Sequence, residues 1–126
     1  MKSIIITGAS SGIGRATAEY FLEAGWQVGL LARQKPILEE MAAQFSNAVV
    51  LPADVTDADA VESAFQHFVA QAGHLDVLFN NAGIFTPAAP IDEVPLEDWH
   101  AAVNVNLTGM FLAARAAFGI MRRQEP

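Results

Sequence analysis

The sequence predicts an α/β fold of three layers, with helices on both faces of a doubly wound parallel sheet. Three observations carry this. Four short apolar runs, Ser3–Thr7, Val28–Leu31, Ala48–Leu51 and Val77–Asn80, alternate with four helical patterns. The runs are rich in Ile, Val and Leu without clean alternation, as in strands buried on both faces. The helices between them suit right-handed crossovers, which make successive strands parallel. The expected strand order is 3-2-1-4, the first half of a doubly wound sheet, truncated before strand five.

In the first helix Ile13, Ala16, Tyr20, Phe21 and Ala24 keep helical spacing, which places Tyr20 on the core face. Gly25 stands where a C-terminal cap belongs. In the second, Leu38, Met41, Ala42 and Phe45 follow Pro36, a good first-turn residue. In the third, Val61, Ala64, Phe65, Phe68, Val69 and Ala72 form one face. Thr56 and Asp59 give it a capping-box-like start, and Gly73 ends it. The fourth runs from about Leu96 to Met121. Trp99, Val103, Met110, Ala114 and Met121 mark one stripe of it, and Leu107, Phe111 and Phe118 widen the apolar surface beyond one face. Such a helix wants burial on more than one side. The segment Thr86–Pro95, with three prolines, is a loop at the mouth of the sheet, and Arg122–Pro126 reads as a helix end and the start of a loop.

Length and composition bound the function. A chain of 126 residues makes one domain, and its 52% hydrophobic content suits a well-buried core. Without cysteine there is no disulfide frame and no thiolate metal site. The net charge is -7, and from Pro36 to Ala114 eleven acidic residues meet no Lys or Arg. A nucleic-acid surface needs clustered cations, so none is expected. No uninterrupted apolar run reaches the roughly 18 residues of a membrane span. The longest candidate, Ala101 to Ala114, is broken by Asn104, Asn106 and Thr108. With no signal-like start either, a cytoplasmic location is expected. The three histidines lack the spacing and carboxylate company of a metal site.

The chemistry begins at the turn after the first strand, Thr7-Gly8-Ala9-Ser10-Ser11-Gly12-Ile13-Gly14. Glycines between a strand and a helix permit a tight turn and close approach of backbone to a pyrophosphate. The helix that starts there turns free N–H groups and its positive dipole end toward the phosphates. Gly8, Ser10, Ser11, Gly12, Ile13 and Gly14 are therefore the candidate pyrophosphate-binding set. No Gly-Lys-Ser/Thr follows, so this is not a P-loop. At the end of the second strand an acidic residue would bind the ribose 2′-hydroxyl and select NAD. That place holds Ala32 and then Arg33, with Lys35 close by. A guanidinium can clamp a 2′-phosphate, so NADP(H) is expected in preference to NAD(H). The alternative is that Arg33 and Lys35 are solvated loop charges. Arg15 is equally open, as a contact at the helix start or as a surface residue.

The spacing TGxxxGxG resembles the short-chain dehydrogenase/reductase family, whose fold is of Rossmann type. The resemblance continues in order through Asp54-Val55, Asn80-Asn81-Ala82-Gly83, Trp99 and Val105-Asn106-Leu107, and so covers Thr7 to Gly109. It implies that Asp54 and Val55 contact adenine, that Asn80, Asn81, Ala82 and Gly83 form the NNAG cofactor segment, and that Asn106 belongs to the catalytic tetrad. Asp54 has a competing role as a turn residue before Thr56. Asn80 and Asn81 have a competing structural role at the strand end. Asn104 and Asn106 lie about 200° apart on a regular helix, so only one is expected to reach the cofactor crevice. The family register selects Asn106 and leaves Asn104 as a cap, a packing contact or a solvated residue.

The resemblance also implies hydride transfer between nicotinamide and a small carbonyl or alcohol, with Ser, Tyr and Lys completing the tetrad. Those three are absent. The only tyrosine is Tyr20, and Ala24 rather than Lys stands four residues on. Residues 1–126 thus read as the NADP(H)-binding Rossmann half-domain of an oxidoreductase, inactive alone, which forms a homo-oligomer through the fourth helix. Two rivals stand beside it: a non-catalytic NADP(H)-binding module, and an interaction fragment that binds nothing small.

Overall fold

The computed structural model describes residues 1–125. Its elements are β1 (Ser3–Thr7), α1 (Gly12–Glu23), β2 (Gln27–Ala32), α2 (Lys35–Ala42), β3 (Ala48–Pro52), α3 (Ala58–Ala72), β4 (Val77–Phe79), a 3₁₀ turn (Ile91–Glu93), α4 (Leu96–Val103), a π-helical turn (Asn104–Gly109) and α5 (Met110–Met121). The four strands are parallel in the order β3-β2-β1-β4. β1 is central, with Ile5 opposite Gly29 of β2 and Leu78 of β4.

Alternation along β1 feeds two cores. Ile4 and Ile6 join Val28, Leu30, Ala18, Leu22, Leu38 and Met41 under α1 and α2. Ile5 joins Leu31, Val49, Leu51, Phe65, Phe68, Ala113 and Ala117 under α3 and α5. Phe65 and Phe68 are fully buried, and each stabilises the fold by roughly 1.5–3 kcal/mol through burial alone.

The α3 face expected from the sequence is the buried one, and Gly73 caps that helix in the left-handed region. α1 corrects the reading. Its buried residues are Gly14, Ala18 and Leu22, while Ile13 and Tyr20 are 73% and 69% exposed. Small residues let the first turns of α1 approach the sheet closely; Leu22 is buried and Phe21 half-buried near its end, while Ile13 and Tyr20 face outward. Tyr20 is therefore a surface residue set edge-on to Phe21, not a packing residue. The end of α1 is a Schellman motif: Gly25 N donates to Leu22 O and Trp26 N to Phe21 O. The α3 cap is also corrected. Asp57, not Thr56, accepts from Ala60 N at 3.1 Å, because Thr56 is held in a turn by Asp54.

The fourth helix is one 26-residue body from Leu96 to Met121, long and apolar enough to cross a membrane by length and composition. The expectation drawn from uninterrupted runs missed this, since scattered polar residues break a run without lowering a long average much. Its small face, Ala113, Ala116 and Ala117, is buried with α3 in the core of this domain. Its large residues Trp99, Leu107, Met110, Phe111 and Phe118 are exposed. Past it, Gln124 lays its side-chain amide along the backbone of Leu75, accepting from Leu75 N and donating to Leu75 O. Pro126, in the expected terminal loop, lies outside the described residues.

Candidate cofactor crevice

The crevice forms at the carboxyl ends of β1, β2 and β3, where a doubly wound sheet binds its ligand. A cavity of about 410 Å³ is lined there by Gly8, Ser10, Ser11, Arg33, Asp54, Val55, Ala82 and Gly83 from the predicted set. Ala32, Gln34, Ala53, Thr56, Ile84, Ala101, Asn104 and Val105 complete the wall.

The glycine loop uses its glycines in two ways, for backbone conformation and for close approach. Gly8 and Gly12 have φ of 67° and 56°, which favours glycine. A Cβ on Gly14 would sit 2.0 Å from Gly8 O and 2.7 Å from Asn81 Nδ2. Backbone is thus brought to the surface of the turn, as close approach to a phosphate requires. Ser11 caps α1 without a side-chain hydrogen bond, so the first N–H groups of the helix face the crevice without a competing hydroxyl. Ser10 Oγ donates to Gln34 Oε1 at 3.1 Å and ties this loop to the turn after β2.

Thr7 carries a part that sequence reasoning gave it no role in. Its buried Oγ1 accepts from Asn81 N at 2.9 Å and Ala82 N at 3.0 Å, and Thr7 O accepts from Asn81 Nδ2 at 3.3 Å. Asn80 Nδ2 donates to Met110 O at 2.8 Å. The side chains of Asn80 and Asn81 are occupied in joining β4 to β1 and to α5. The partners lie up to 74 residues away, which hides them from local patterns.

Asp54 accepts from Thr56 N at 2.9 Å and Thr56 Oγ1 at 2.8 Å through Oδ1. These hydrogen bonds, more than the nearby Arg33 charge, hold its carboxyl below the ordinary carboxylate value against a small opposing effect of burial. The turn role and a place in the crevice wall coexist. Arg33 is exposed at the rim, and no acidic residue occupies the end of β2. Arg15 turns away to Glu19, 3.0 Å distant, and Lys35 pairs with Glu39 at 3.6 Å.

Asn106 does not line the cavity. Its Oδ1 accepts from Ile84 N at 2.7 Å and its Nδ2 donates to Ile84 O at 2.9 Å, so it holds the segment behind the cavity wall. Asn104 is the asparagine that reaches the crevice, against the sequence expectation. Both asparagines stand in the π-helical turn, a feature that apolar spacing does not reveal. Its last residue, Gly109, touches the crevice wall closely: a Cβ there would lie 2.8 Å from Val55 Cγ2. Among the described residues no cluster of His, Cys, Asp and Glu could hold a metal.

A glycine-lined crevice at the carboxyl edge of a 3-2-1-4 parallel sheet defines a dinucleotide-binding protein of Rossmann type. The model of the short chain dehydrogenase family matches residues 2–126, and the chain belongs to that family. It is 40% identical over 109 residues to serine 3-dehydrogenase of Agrobacterium fabrum, covering 86% of this chain and 44% of that protein. It is 36% identical to a 3-oxoacyl-(acyl-carrier-protein) reductase of Staphylococcus aureus, covering 98% of this chain and 52% of that one. The crystal structure of a 3-ketoacyl-ACP reductase from Sinorhizobium meliloti superposes with a TM-score of 0.91 at 38% identity, over 96% of this chain and 49% of that one. A 3-ketoacyl-(acyl-carrier-protein) reductase from Brucella melitensis, solved in complex with NADH, gives 0.90 at 31% identity, over 94% of this chain and 49% of that one. The chain spans about half the length of the curated relatives it matches.

Proposed function

We propose that residues 1–126 are the NADP(H)-binding half-domain of an oxidoreductase that moves hydride between a nicotinamide and a small carbonyl or alcohol. The observation that carries the cofactor reading is Arg33 on the crevice rim, in the turn tied to the glycine loop, where an NAD-selective site would hold a carboxylate. The backbone cradle of Gly8, Ser10, Ser11, Gly12, Ile13 and Gly14 suits a pyrophosphate. Asp54 and Val55 suit the adenine end, with Ala82 and Gly83 in the wall between and Asn80 and Asn81 fixing that segment to the rest of the fold. The bound cofactor would supply the hydride. Asn106 would act by fixing the backbone of Ile84, and with it the position of the wall.

The second reading is a non-catalytic NADP(H)-binding module. The sequence contains no Tyr-x-x-x-Lys, and Tyr20 stands on the outer face of α1. Without a proton donor beside the nicotinamide, this chain by itself should turn over no carbonyl or alcohol. The proposed setting is cytoplasmic, and the proposed assembly is a homodimer through the exposed residues Leu107, Phe111 and Phe118.

Titration of the chain with NADP(H) and NAD(H) tests the cofactor reading. One or two charged hydrogen bonds give roughly a 10- to 100-fold preference for NADP(H), and Arg33→Ala should abolish it. Equal affinities in the wild type would overturn NADP(H) selectivity. Absence of any binding would favour the interaction fragment. A substrate panel followed by nicotinamide absorbance should stay at background, and a rate abolished by Tyr20→Phe would overturn the expected inactivity.

A further inference from the structure

The outer side of β4 presents backbone groups that match themselves. Among the described residues β4 has one neighbour, β1, and its other side is unpaired. Which groups face that side follows from the hydrogen bonds around it. Asp76 N donates to Ser3 O of β1. Leu75, one residue earlier, has both its N–H and its carbonyl on Gln124, away from β1. Alternation along the strand therefore turns Val77 and Phe79 outward, each with a free N–H and carbonyl. Beyond them Asn81 N donates inward, to Thr7 Oγ1. The free set is thus closed by Leu75 on one side and Asn81 on the other.

The opposite border of the sheet is protected. Just before β3, Asn47 O accepts from Val28 N, so alternation turns Ala48, Val50 and Pro52 outward. Pro52 has no N–H to offer, a common way of blunting an edge strand. The Val77-Leu78-Phe79 strand has no such block along its length, and Val77 is 37% exposed.

Resting on the homodimer reading above, we infer that the partner at this edge is a second copy of the chain, paired antiparallel through β4 about a two-fold axis at Leu78. Val77 of one copy then faces Phe79 of the other, and each such pair exchanges both N–H···O bonds. The neighbouring two-fold registers fail. Setting Val77 against its own copy puts Phe79 opposite Leu75, whose groups Gln124 holds. Setting Phe79 against its own copy puts Val77 opposite Asn81, whose N–H Thr7 holds. In the register at Leu78 the two leucines meet as a non-hydrogen-bonded pair, where side chains approach most closely. Asp76 falls opposite Asn80, so no carboxylates meet. A two-fold normal to the sheet also keeps each helix layer on its own face. α3 packs over β2 and β3, whereas α5 is tied to the β4 side by Asn80 at one end and, through Gln124, by Leu75 at the other. The two fourth helices become neighbours along the seam, with Leu107, Phe111 and Phe118 still uncovered in each copy to pack there. With Pro52 at the outer borders, the assembly closes at two copies.

Amide hydrogen exchange on the full chain, at concentrations either side of the association seen by light scattering, reads the edge directly. The Val77 and Phe79 amides should exchange freely in dilute protein and become protected about tenfold or more as the dimer forms. The Asp76 amide, bonded to Ser3, should change little. Val77→Pro removes an outward N–H without touching the bonds to β1, at a place where edge strands accept proline. It should weaken association by about tenfold or more, read from protein shown to be folded by circular dichroism. The sequence has no cysteine, so Leu78→Cys carries a single thiol, set close enough to its copy at the axis for a disulfide. It should cross-link under mild oxidation, whereas Val77→Cys, offset from its own copy, should not. A dimer in which Val77 and Phe79 stay unprotected overturns the strand pairing and leaves the homodimer reading standing. Protection without the cross-link at Leu78→Cys overturns the register. A chain that stays monomeric on concentration fails the homodimer reading, and this inference with it.

Discussion

Replacing Gly14 with alanine tests whether the glycine loop is held as tightly as its geometry implies. The added Cβ would lie 2.0 Å from Gly8 O and 2.8 Å from Gly8 C, whereas ordinary contact begins at 3.4 Å. Relief requires backbone to move by more than an ångström. Gly8 cannot yield easily: a Cβ on it would already stand 3.0 Å from Ala82 Cα, and the preceding Thr7 is locked to Asn81 and Ala82. Overpacking a well-filled site costs typically 1–3 kcal/mol, and a clash with backbone belongs at or above the top of that range. At about 3 kcal/mol, a domain of this size should lose about 12 °C in Tm. Gly119→Ala is the control. It lies in α5 with nothing within 4 Å of the added Cβ, so the substitution should stabilise by roughly 0.5–1 kcal/mol through reduced backbone entropy of the unfolded chain. Thermal unfolding by far-ultraviolet circular dichroism reads both, and dinucleotide titration reads whether the loop survives. Gly14→Ala melting within about 2 °C of wild type with binding intact would refute the reasoning, since neither packing nor the phosphate cradle would then depend on that hydrogen.

Asn106→Ala removes both hydrogen bonds to Ile84, and should cost about 1–3 kcal/mol in stability by chemical denaturation, with faster amide exchange confined to the segment after β4; unchanged exchange at Ile84 would contradict the clamp. The chain should not be a clean monomer at micromolar concentration, because Leu107, Phe111 and Phe118 lie exposed on one helix; Phe111→Glu with Phe118→Glu should shift light scattering to the monomer, and a wild-type monomer that stays so on concentration refutes this. Asp54 has a folded pKa below its ordinary 3.8. Its contribution to stability is therefore complete above that value and lost as pH falls through the folded pKa. The acid limb of Tm against pH should be shallower in Asp54→Asn, and superimposable limbs would remove Asp54 as a cause.

The sheet was legible because buried parallel strands write their own signature: Ser3–Thr7 is apolar apart from its ends, and β1 occupies those residues. α3 was legible because its large residues Val61, Phe65 and Phe68 are the buried ones. α1 was misread because its contact face, Gly14, Ala18 and Leu22, has bulk at one position only, and apolar spacing registers bulk rather than closeness. The glycine loop could be placed from its position between strand and helix. Its lock could not, since Thr7 meets Asn81 across 74 residues. The presence of Asn104 rather than Asn106 in the cavity wall was invisible for a similar reason. It depends on a π-helical turn and on the backbone of Ile84, and neither leaves a mark in residue spacing.

The amides of Gln124 and Asn106 do one thing in common. Each engages both the N–H and the carbonyl of a single residue, Leu75 before β4 and Ile84 after it. A neighbouring strand would offer that same pair of groups to alternate residues along the open side of β4. Gln124 thus occupies the place of one residue of a neighbouring strand at the start of β4, while Asn106 does the same for a residue beyond the strand, in the crevice wall. A segment adding itself to the open side of β4 must stop short of the Gln124 amide or displace it. The alignment of any strand that joins here is thereby bounded at one end before the first new backbone hydrogen bond forms, and sliding past Leu75 is penalised.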